Sequence, residues 1–323
     1  MCGHRQRVVD QEVGLRRQVA WLAGLAFAAL LSCTGCAPLV YVGVHVLYRH
    51  ADLPAAQVVR DVAYLPDGVT SAAHRLDLYR AAAPHAPLLV FVHGGGWDSG
   101  DKQLRVGGAD VYSNIGRFYA ARGITVAVAN YRLQPAADWR GQVRDVAAAV
   151  RWVHEHAAEA GGDPAAIFLM GHSAGAHLVS YMALDSVARA GLPIRGVISV
   201  SGAALDLTDA QTYALGEDVR YYAQRFRGDD ASDAWKAAAS PATHITGTPP
   251  PFLVMCAAGE TKGLQRQAQV FADALARAGG SVTRVVVKGE SHARMVLVLT
   301  RADKAAAPAV LAFVRATPGG QAH

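Results

Sequence analysis

Short, mostly apolar segments alternate with longer amphipathic segments along most of this chain, and this alternation constrains the fold more than any other feature. The apolar segments are residues 88–92, 125–129, 167–170, 197–200, 252–257 and 282–287. Helical patterns cover residues 113–122, 139–160, 176–187, 265–278 and 305–315. Uninterrupted apolar strands are typical of parallel sheets that helices cover on both faces. Together with half-buried strands at 58–64 and 75–79, the pattern predicts an α/β fold, a mostly parallel, doubly wound sheet of about eight strands.

Residues 205–248 interrupt this alternation. They are polar and irregular and contain one short helical pattern. In a doubly wound sheet, ligands bind outside the carboxyl ends of the strands. We therefore expect residues 58–323 to form one domain, with 205–248 as a small cap insertion over those strand ends.

A candidate nucleophile follows the apolar segment at 167–170. The motif is Gly171-His172-Ser173-Ala174-Gly175, and a helical pattern begins directly after it. A sharp turn from a strand into a helix strains the backbone at its central residue and requires small residues two positions before and after it. Gly171 and Gly175 meet that requirement, so Ser173 is the predicted nucleophile.

A glycine-rich loop follows the apolar segment at 88–92, with the sequence His93-Gly94-Gly95-Gly96-Trp97. Consecutive glycines let the backbone approach a substrate closely and direct several N–H groups at one point. Such a loop upstream of a serine turn indicates a site that stabilises a developing oxyanion.

These two motifs together resemble the α/β-hydrolase fold serine esterases of the His-Gly-Gly-Gly branch, which includes the hormone-sensitive-lipase-like enzymes. The motif 97–101 and the pair Ser113-Asn114 look similar to prenylcysteine methylesterase and kynurenine formamidase relatives. The resemblance extends from about Asp61 to Val314. It implies an α/β-hydrolase fold with no cofactor, and an oxyanion hole made by the backbone amides of Gly95, Gly96 and Ala174.

The base and the acid of a catalytic triad should follow the serine in the order acid, then histidine. His292 lies just after the apolar segment at 282–287, and Glu260 is the first carboxylate after the segment at 252–257. Relatives usually carry Asp where this chain has Glu260. A carboxylate of either length can accept the imidazole N–H, so the predicted triad is Ser173, Glu260 and His292. We expect Glu290 to be a solvated loop residue.

The remaining chemistry-bearing residues have simpler interpretations. Cys256 is expected in the core, and His172 and His177 are expected to pack around the serine turn. His154 and His156 point to different faces of a helix, and we predict no metal site. The formal net charge of +5 includes no clustered Lys/Arg stripe, so nucleic-acid binding is not expected.

The N-terminus has the pattern of an export signal. Basic residues precede an apolar stretch at 19–31, which is too short to span a bilayer comfortably. The ending Thr34-Gly35-Cys36 resembles the lipobox of bacterial lipoproteins, with Cys33 as a second register. We expect a signal peptide at 1–35, lipidation at Cys36 (alternatively Cys33), a tether at 36–57, and a membrane-anchored protein in the cell envelope or periplasm. The alternative is a signal anchor that stays uncleaved.

Three functions fit these residues. The first is a carboxylic ester hydrolase that acts on small-molecule esters, and the second is an aryl-formamidase with the same chemistry. Gln265-Arg266-Gln267 after Glu260 favours the second, while export argues against an intracellular formamide substrate. The third is a membrane-tethered binding module without activity, which the complete set of predicted site residues disfavours.

Overall fold

The computed structural model describes residues 51–65, 71–106, 109–229 and 231–317. The predicted signal peptide, Cys33 and Cys36 lie outside these residues. No helix within the described part of the chain combines the length and apolar character needed to cross a membrane.

The described residues contain an eight-stranded sheet in the order β1-β2-β6-β3-β7-β8-β9-β10. The strands are β1 (Val58–Ala63), β2 (Arg75–Tyr79), β3 (Ala86–Val92), β6 (Thr125–Ala129), β7 (Gly162–His172), β8 (Ile194–Val200), β9 (Phe252–Ala257) and β10 (Val282–Val287). The six strands from β6 to β10 in the sheet order pair in parallel. At the opposite edge, β2 pairs antiparallel with β6, and β1 pairs antiparallel with β2. The predicted mostly parallel sheet is confirmed. A second sheet of two short antiparallel strands, β4 (Arg105–Val106) and β5 (Ala109–Asp110), was not predicted.

The helices follow the strands as the alternation predicts. They are α1 (Val111–Ala120), α2 (Trp139–Glu155), α3 (Ala174–Leu184), α4 (Ala210–Ala214), α5 (Val219–Phe226), α6 (Ala234–Ala239), α7 (Lys262–Arg277), α8 (Met295–Val298) and α9 (Ala306–Ala316). Helix α2 ends at Glu155, earlier than the predicted Ala160, because the chain turns there before β7. Helix α3 begins two residues earlier than predicted, directly after Ser173.

The core lies between the sheet and its helices. Strands β6 and β9 are buried along their whole length, as their apolar sequences predict. Cys256 is 1% exposed, which agrees with its predicted place in the core.

The excursion at 205–248 is more regular than the sequence indicates. Its described residues hold α4, α5, α6 and a short 3₁₀ helix (Pro241–His244), whereas the sequence predicts one helical pattern. The reason is tertiary support, because helices of this length are marginal alone. Asp209 at the start of α4 accepts two hydrogen bonds from Arg266 of α7, at 2.9 and 3.0 Å. Gln267 of α7 exchanges hydrogen bonds with the backbone of Asp206.

Candidate active site

Ser173 occupies the turn between β7 and α3, and its backbone is strained there. Its φ and ψ are 55° and −119°, outside the regions that residues with a side chain favour. A Cβ on Gly171 would lie 2.2 Å from the carbonyl oxygen of Gly175, and one on Gly175 would lie 2.2 Å from that of Val92. The two glycines are therefore required by backbone contacts on both sides of the serine.

The structure brings Ser173, His292 and Glu260 together in one hydrogen-bonded line. The Ser173 hydroxyl lies 2.9 Å from His292 Nε2, and His292 Nδ1 lies 3.1 Å from Glu260 Oε1. The carboxylate can only accept, so Nδ1 carries the proton and Nε2 is free to accept from the serine. The Glu260 side chain is fully buried, whereas that of His292 is 34% exposed. This geometry suits a serine that gives up its proton to a partly accessible base.

The loops that carry Glu260 and His292 are tied to each other. The amide of Gly259 donates to the carbonyl of Glu290 at 2.9 Å. Behind the base, His172 Nε2–H donates to the carbonyl of His292 at 3.0 Å. Both hydrogen bonds restrict where the imidazole can move. His172, predicted only as a packing residue, therefore also supports the base loop.

The expectation for Glu290 was wrong. This side chain is 1% exposed and forms ion pairs with Arg294 at 3.0 Å and with Lys304 at 3.2 Å. A carboxylate can be buried where charged partners compensate for its lost hydration. Arg294 lies only four residues along the chain, but Lys304 comes from just before α9, fourteen residues along the chain, so local spacing gives no signal for that second ion pair.

The glycine-rich loop after β3 has its carbonyl groups bound and its key amides free. Within the described residues, the amides of Gly95, Gly96 and Ala174 donate to no protein acceptor. Ala174 opens α3, where a helix leaves its first N–H groups unpaired. Each carbonyl from Gly94 to Trp97, in contrast, accepts a hydrogen bond. The donors are His93 Nδ1 for Gly94, the Asp98 and Ser99 amides and the Ser99 hydroxyl for Gly95, Arg225 Nε for Gly96, and Gln134 N and Gln142 Nε2 for Trp97.

These carbonyl contacts orient the amides, because the C=O and N–H of one trans peptide point in opposite directions. Binding of the Gly95 carbonyl within the loop therefore turns the Gly96 N–H away from it. Gly95 and Gly96 have φ values of 124° and 61°, which glycine adopts without steric cost. Such a loop can present two N–H donors without reorganisation during a reaction.

Three buried histidines pack around this site in their neutral form. Burial lowers the pKa of His93 and of His177 to about 4, and that of His172 to about 3. His177 Nδ1 accepts from the indole N–H of Trp97 at 3.2 Å, which fixes its tautomer. The described residues contain no group of three or more His, Cys, Asp or Glu side chains that could hold a metal ion.

Residues 76–275, more than half of the chain, match the model of the BD-FAE family. The chain belongs to the BD-FAE family. This BD-FAE member is 28% identical over 285 residues to Esterase LipQ of Mycobacterium tuberculosis, covering 82% of this chain and 64% of that protein. It is 27% identical over 242 residues to a probable isoprenylcysteine alpha-carbonyl methylesterase of Arabidopsis thaliana, covering 69% of this chain and 49% of that protein. The BD-FAE member spans about half the length of the curated relatives it matches.

Solved structures share its fold. Esterase B from Lactobacillus rhamnosis superposes with a TM-score of 0.69 at 20% identity, covering 96% of this chain and 95% of that one. A hyperthermophilic esterase from Pyrobaculum calidifontis gives a TM-score of 0.68 at 20% identity, covering 92% and 96%. The α/β-hydrolase fold is thereby established for this BD-FAE member, and the resemblance to esterases that the sequence motifs indicate is confirmed.

Sequence reasoning missed Arg225. It lies in the irregular excursion and contacts the glycine-rich loop through its side chain. Arg225 is surrounded by other polar residues in the sequence, and nothing in its spacing distinguishes it from a solvated arginine.

Proposed function

We propose that this chain is a serine hydrolase that cleaves carboxylic esters. The observation that carries the proposal is the line from Ser173 through His292 to Glu260, with unpaired backbone amides beside the serine. Curated relatives named as esterases and carboxylesterases support the ester class.

The reaction proceeds in two steps. In the first, His292 takes the Ser173 proton while the hydroxyl oxygen attacks the ester carbonyl, and Glu260 stabilises the resulting imidazolium. The oxyanion is held by the amides of Gly96, Gly95 and Ala174. Collapse of the tetrahedral intermediate transfers the histidine proton to the leaving alkoxide and releases the alcohol. In the second step, His292 activates a water that hydrolyses the acyl-enzyme and returns the proton to the serine.

Short and medium acyl esters are the substrates we propose first. One structure of the Lactobacillus enzyme carries a tributyrin phosphonate as inhibitor, and one of the Thermogutta terrifontis esterase Est2 holds butyrate. A panel of p-nitrophenyl esters from acetate to decanoate measures the acyl preference of this chain directly.

The decisive experiment replaces the nucleophile. Ser173→Ala is expected to abolish hydrolysis of p-nitrophenyl butyrate and labelling by a fluorophosphonate probe, because the hydroxyl that is hydrogen-bonded to His292 carries the acyl group. Ser186→Ala, at an exposed position beyond α3, is the matched control and should retain both. Hydrolysis retained by Ser173→Ala would contradict the proposal.

The same ester panel and the same probe also distinguish the two alternative functions. An aryl-formamidase would turn over N-formylkynurenine with a higher kcat/KM than any ester in the panel. An inert binding module would neither hydrolyse esters nor react with the probe. We expect the esters to be preferred and the probe to label Ser173.

We also propose that the mature chain is exported and anchored to a membrane through an acylated Cys36. The support is the arrangement of basic residues, a short apolar stretch and the ending 34–36. In a bacterium that processes lipoproteins, the full chain should incorporate an alkyne-tagged palmitate. Cys36→Ser should abolish incorporation and Cys33→Ser should not. A wild-type chain without label would refute the anchor.

A further inference from the structure

One helix of the excursion contacts the loop that carries the oxyanion donors. Arg225, near the end of α5, donates from Nε to the carbonyl of Gly96 at 2.8 Å. Its Nη2 forms an ion pair with Asp98 at 2.6 Å. Among the donors that hold the carbonyls of this loop, Arg225 is the one that the excursion contributes. The excursion therefore contacts the glycine-rich loop through a specific side chain.

The Arg225 side chain is held firmly enough to act as a support. It is 14% exposed, and its guanidinium lies 3.7 Å from the centre of the Tyr221 ring. The backbone carbonyl of Arg225 accepts a further hydrogen bond from Gln134 Nε2 at 2.8 Å. Arg225 Nη1 also donates to the backbone carbonyl of Tyr221 at 3.2 Å. A planar guanidinium with three partners and a stacked ring has little freedom to reorient.

Gly96 needs such a support because it has no side chain of its own to restrict it. With φ of 61°, it occupies a region that glycine enters and leaves at similar cost. A Gly96 carbonyl without its partner could rotate toward another donor, and the peptide that follows Gly96 would turn with it. The contacts of the Gly95 carbonyl orient the Gly96 N–H, and Arg225 holds the peptide on the other side of Gly96, so this residue is restricted from both sides.

Charge adds a second reason. A Cβ on Gly96 would lie 3.5 Å from Asp98 Oδ1, so this carboxylate is close to the oxyanion loop. An unpaired negative charge there would repel an oxyanion as it develops. The ion pair with Arg225 compensates the charge of Asp98 and holds its carboxylate close to helix α5.

We propose that Arg225 is a positioning residue for the oxyanion hole. Through the Gly96 carbonyl and Asp98, it links the cap helix α5 to transition-state stabilisation. This inference rests on the proposed esterase function. It assigns to helix α5 of the excursion a role in catalysis.

The test compares a ligand that forms an oxyanion with one that cannot. A short-chain trifluoromethyl ketone adds to the serine and places its oxygen in the hole, whereas the corresponding trifluoromethyl carbinol has a similar shape but forms no adduct. For Arg225→Gln, we expect kcat on p-nitrophenyl butyrate to fall about 10- to 100-fold, less than the loss of a whole donor, with KM within about threefold of wild type. The ketone Ki should rise by a similar factor, while the carbinol Ki changes by less than about threefold.

Arg266→Gln is the matched control. It breaks the ion pair between Asp209 of the excursion and α7 without a contact to the glycine-rich loop, and kcat should stay close to the wild-type value. If Arg225→Gln does not fold, Arg225→Lys allows the same comparison. Its ammonium keeps the positive charge beside Asp98 but lacks the planar guanidinium that contacts Gly96 and Asp98 together.

Two results would overturn the inference while leaving the proposed function intact. One is a kcat within about threefold of wild type. The other is equal weakening of the ketone and the carbinol, which would mean that Arg225 only packs the cap. A wild-type enzyme that neither hydrolyses esters nor binds the ketone would overturn both the inference and the function.

Discussion

Burial of the Glu260 carboxylate strengthens its electrostatic effect on His292. One of its oxygens accepts from His292, and the other has no partner within the described chain. A fully buried carboxylate lacks hydration, so a positive charge on the neighbouring imidazole is stabilised more strongly than it would be in water. The extra methylene relative to Asp is accommodated, since the distance to His292 remains that of a hydrogen bond.

Glu260→Gln is expected to lower kcat by about 10³- to 10⁴-fold. A glutamine can turn its NH₂ group toward Nδ1 and so select the wrong tautomer of His292, as a corresponding change does in other triads. The measurement is kcat on p-nitrophenyl butyrate, with circular dichroism to confirm folding. Glu155→Gln, at the exposed end of α2, is the matched control and should leave kcat unchanged. A Glu260→Gln variant within tenfold of wild type would remove Glu260 from the triad.

Among single residues, those that could be predicted from the sequence are the ones whose place in the candidate site follows from the order of the strands along the chain. Ser173, Glu260 and His292 each follow a strand of a parallel sheet, and the carboxyl ends of such strands lie at one edge. Glu290 and Arg225 could not be predicted in the same way. Their environments depend on partners that folding brings from elsewhere in the chain.

The elements differ in how strongly local sequence determines them. Strands β6, β9 and β10 begin and end where their sequences predict. Burial along the whole strand leaves a readable apolar pattern in β6 and β9, whereas β10 lies at the edge of the sheet and is mostly exposed or half-buried. The helices of the excursion are five to eight residues long, and side chains of α7 hold the segment where α4 begins. A segment that packing stabilises has little periodicity of its own, so its sequence predicts an irregular segment.

The turn between β7 and α3 provides a prediction at the scale of an element. Gly175→Ala would put a Cβ 2.2 Å from the Val92 carbonyl oxygen and 2.5 Å from that of His93. Backbone atoms at the end of β3 cannot move without displacing the glycine-rich loop. We expect a loss of about 3 kcal/mol in the free energy of unfolding, and at least a 100-fold loss of kcat.

Urea unfolding and ester hydrolysis measure the two effects. Gly161→Ala is the control, because it also adds a Cβ but has nothing within 4 Å, and its φ of 71° costs only backbone strain. That variant should lose about 1 kcal/mol and keep its kcat. Equal effects of the two substitutions would show that the contact with β3 is not what requires Gly175.

Over the whole molecule, buried neutral histidines connect the site to the pH dependence of stability. His172 and His93 each donate one ring N–H to a backbone carbonyl, and the other nitrogen of each is buried with no hydrogen-bond partner among the described residues. His177 donates from Nε2 to the carbonyl of Ala239 and accepts from Trp97 at Nδ1. A second proton on any of these rings would have no acceptor, which agrees with pKa values lowered to about 3–4.

Acid should therefore destabilise the fold well above the range in which carboxylates titrate. Unfolded histidines bind a proton near pH 6.5, whereas these three stay neutral in the fold down to about pH 4. The unfolded state thus binds more protons in that window, so the free energy of unfolding is highest above pH 6.5 and falls as the pH falls. Each histidine contributes about 1.4 kcal/mol per pH unit, and we expect a total slope of roughly 2–4 kcal/mol per unit between pH 6 and 5.

Urea unfolding at a series of pH values measures this slope. His177→Gln, whose amide can keep both hydrogen bonds, should reduce it by about 1.4 kcal/mol per unit. A free energy of unfolding that stays constant from pH 6.5 to 5 would mean that these histidines are not neutral in the folded protein.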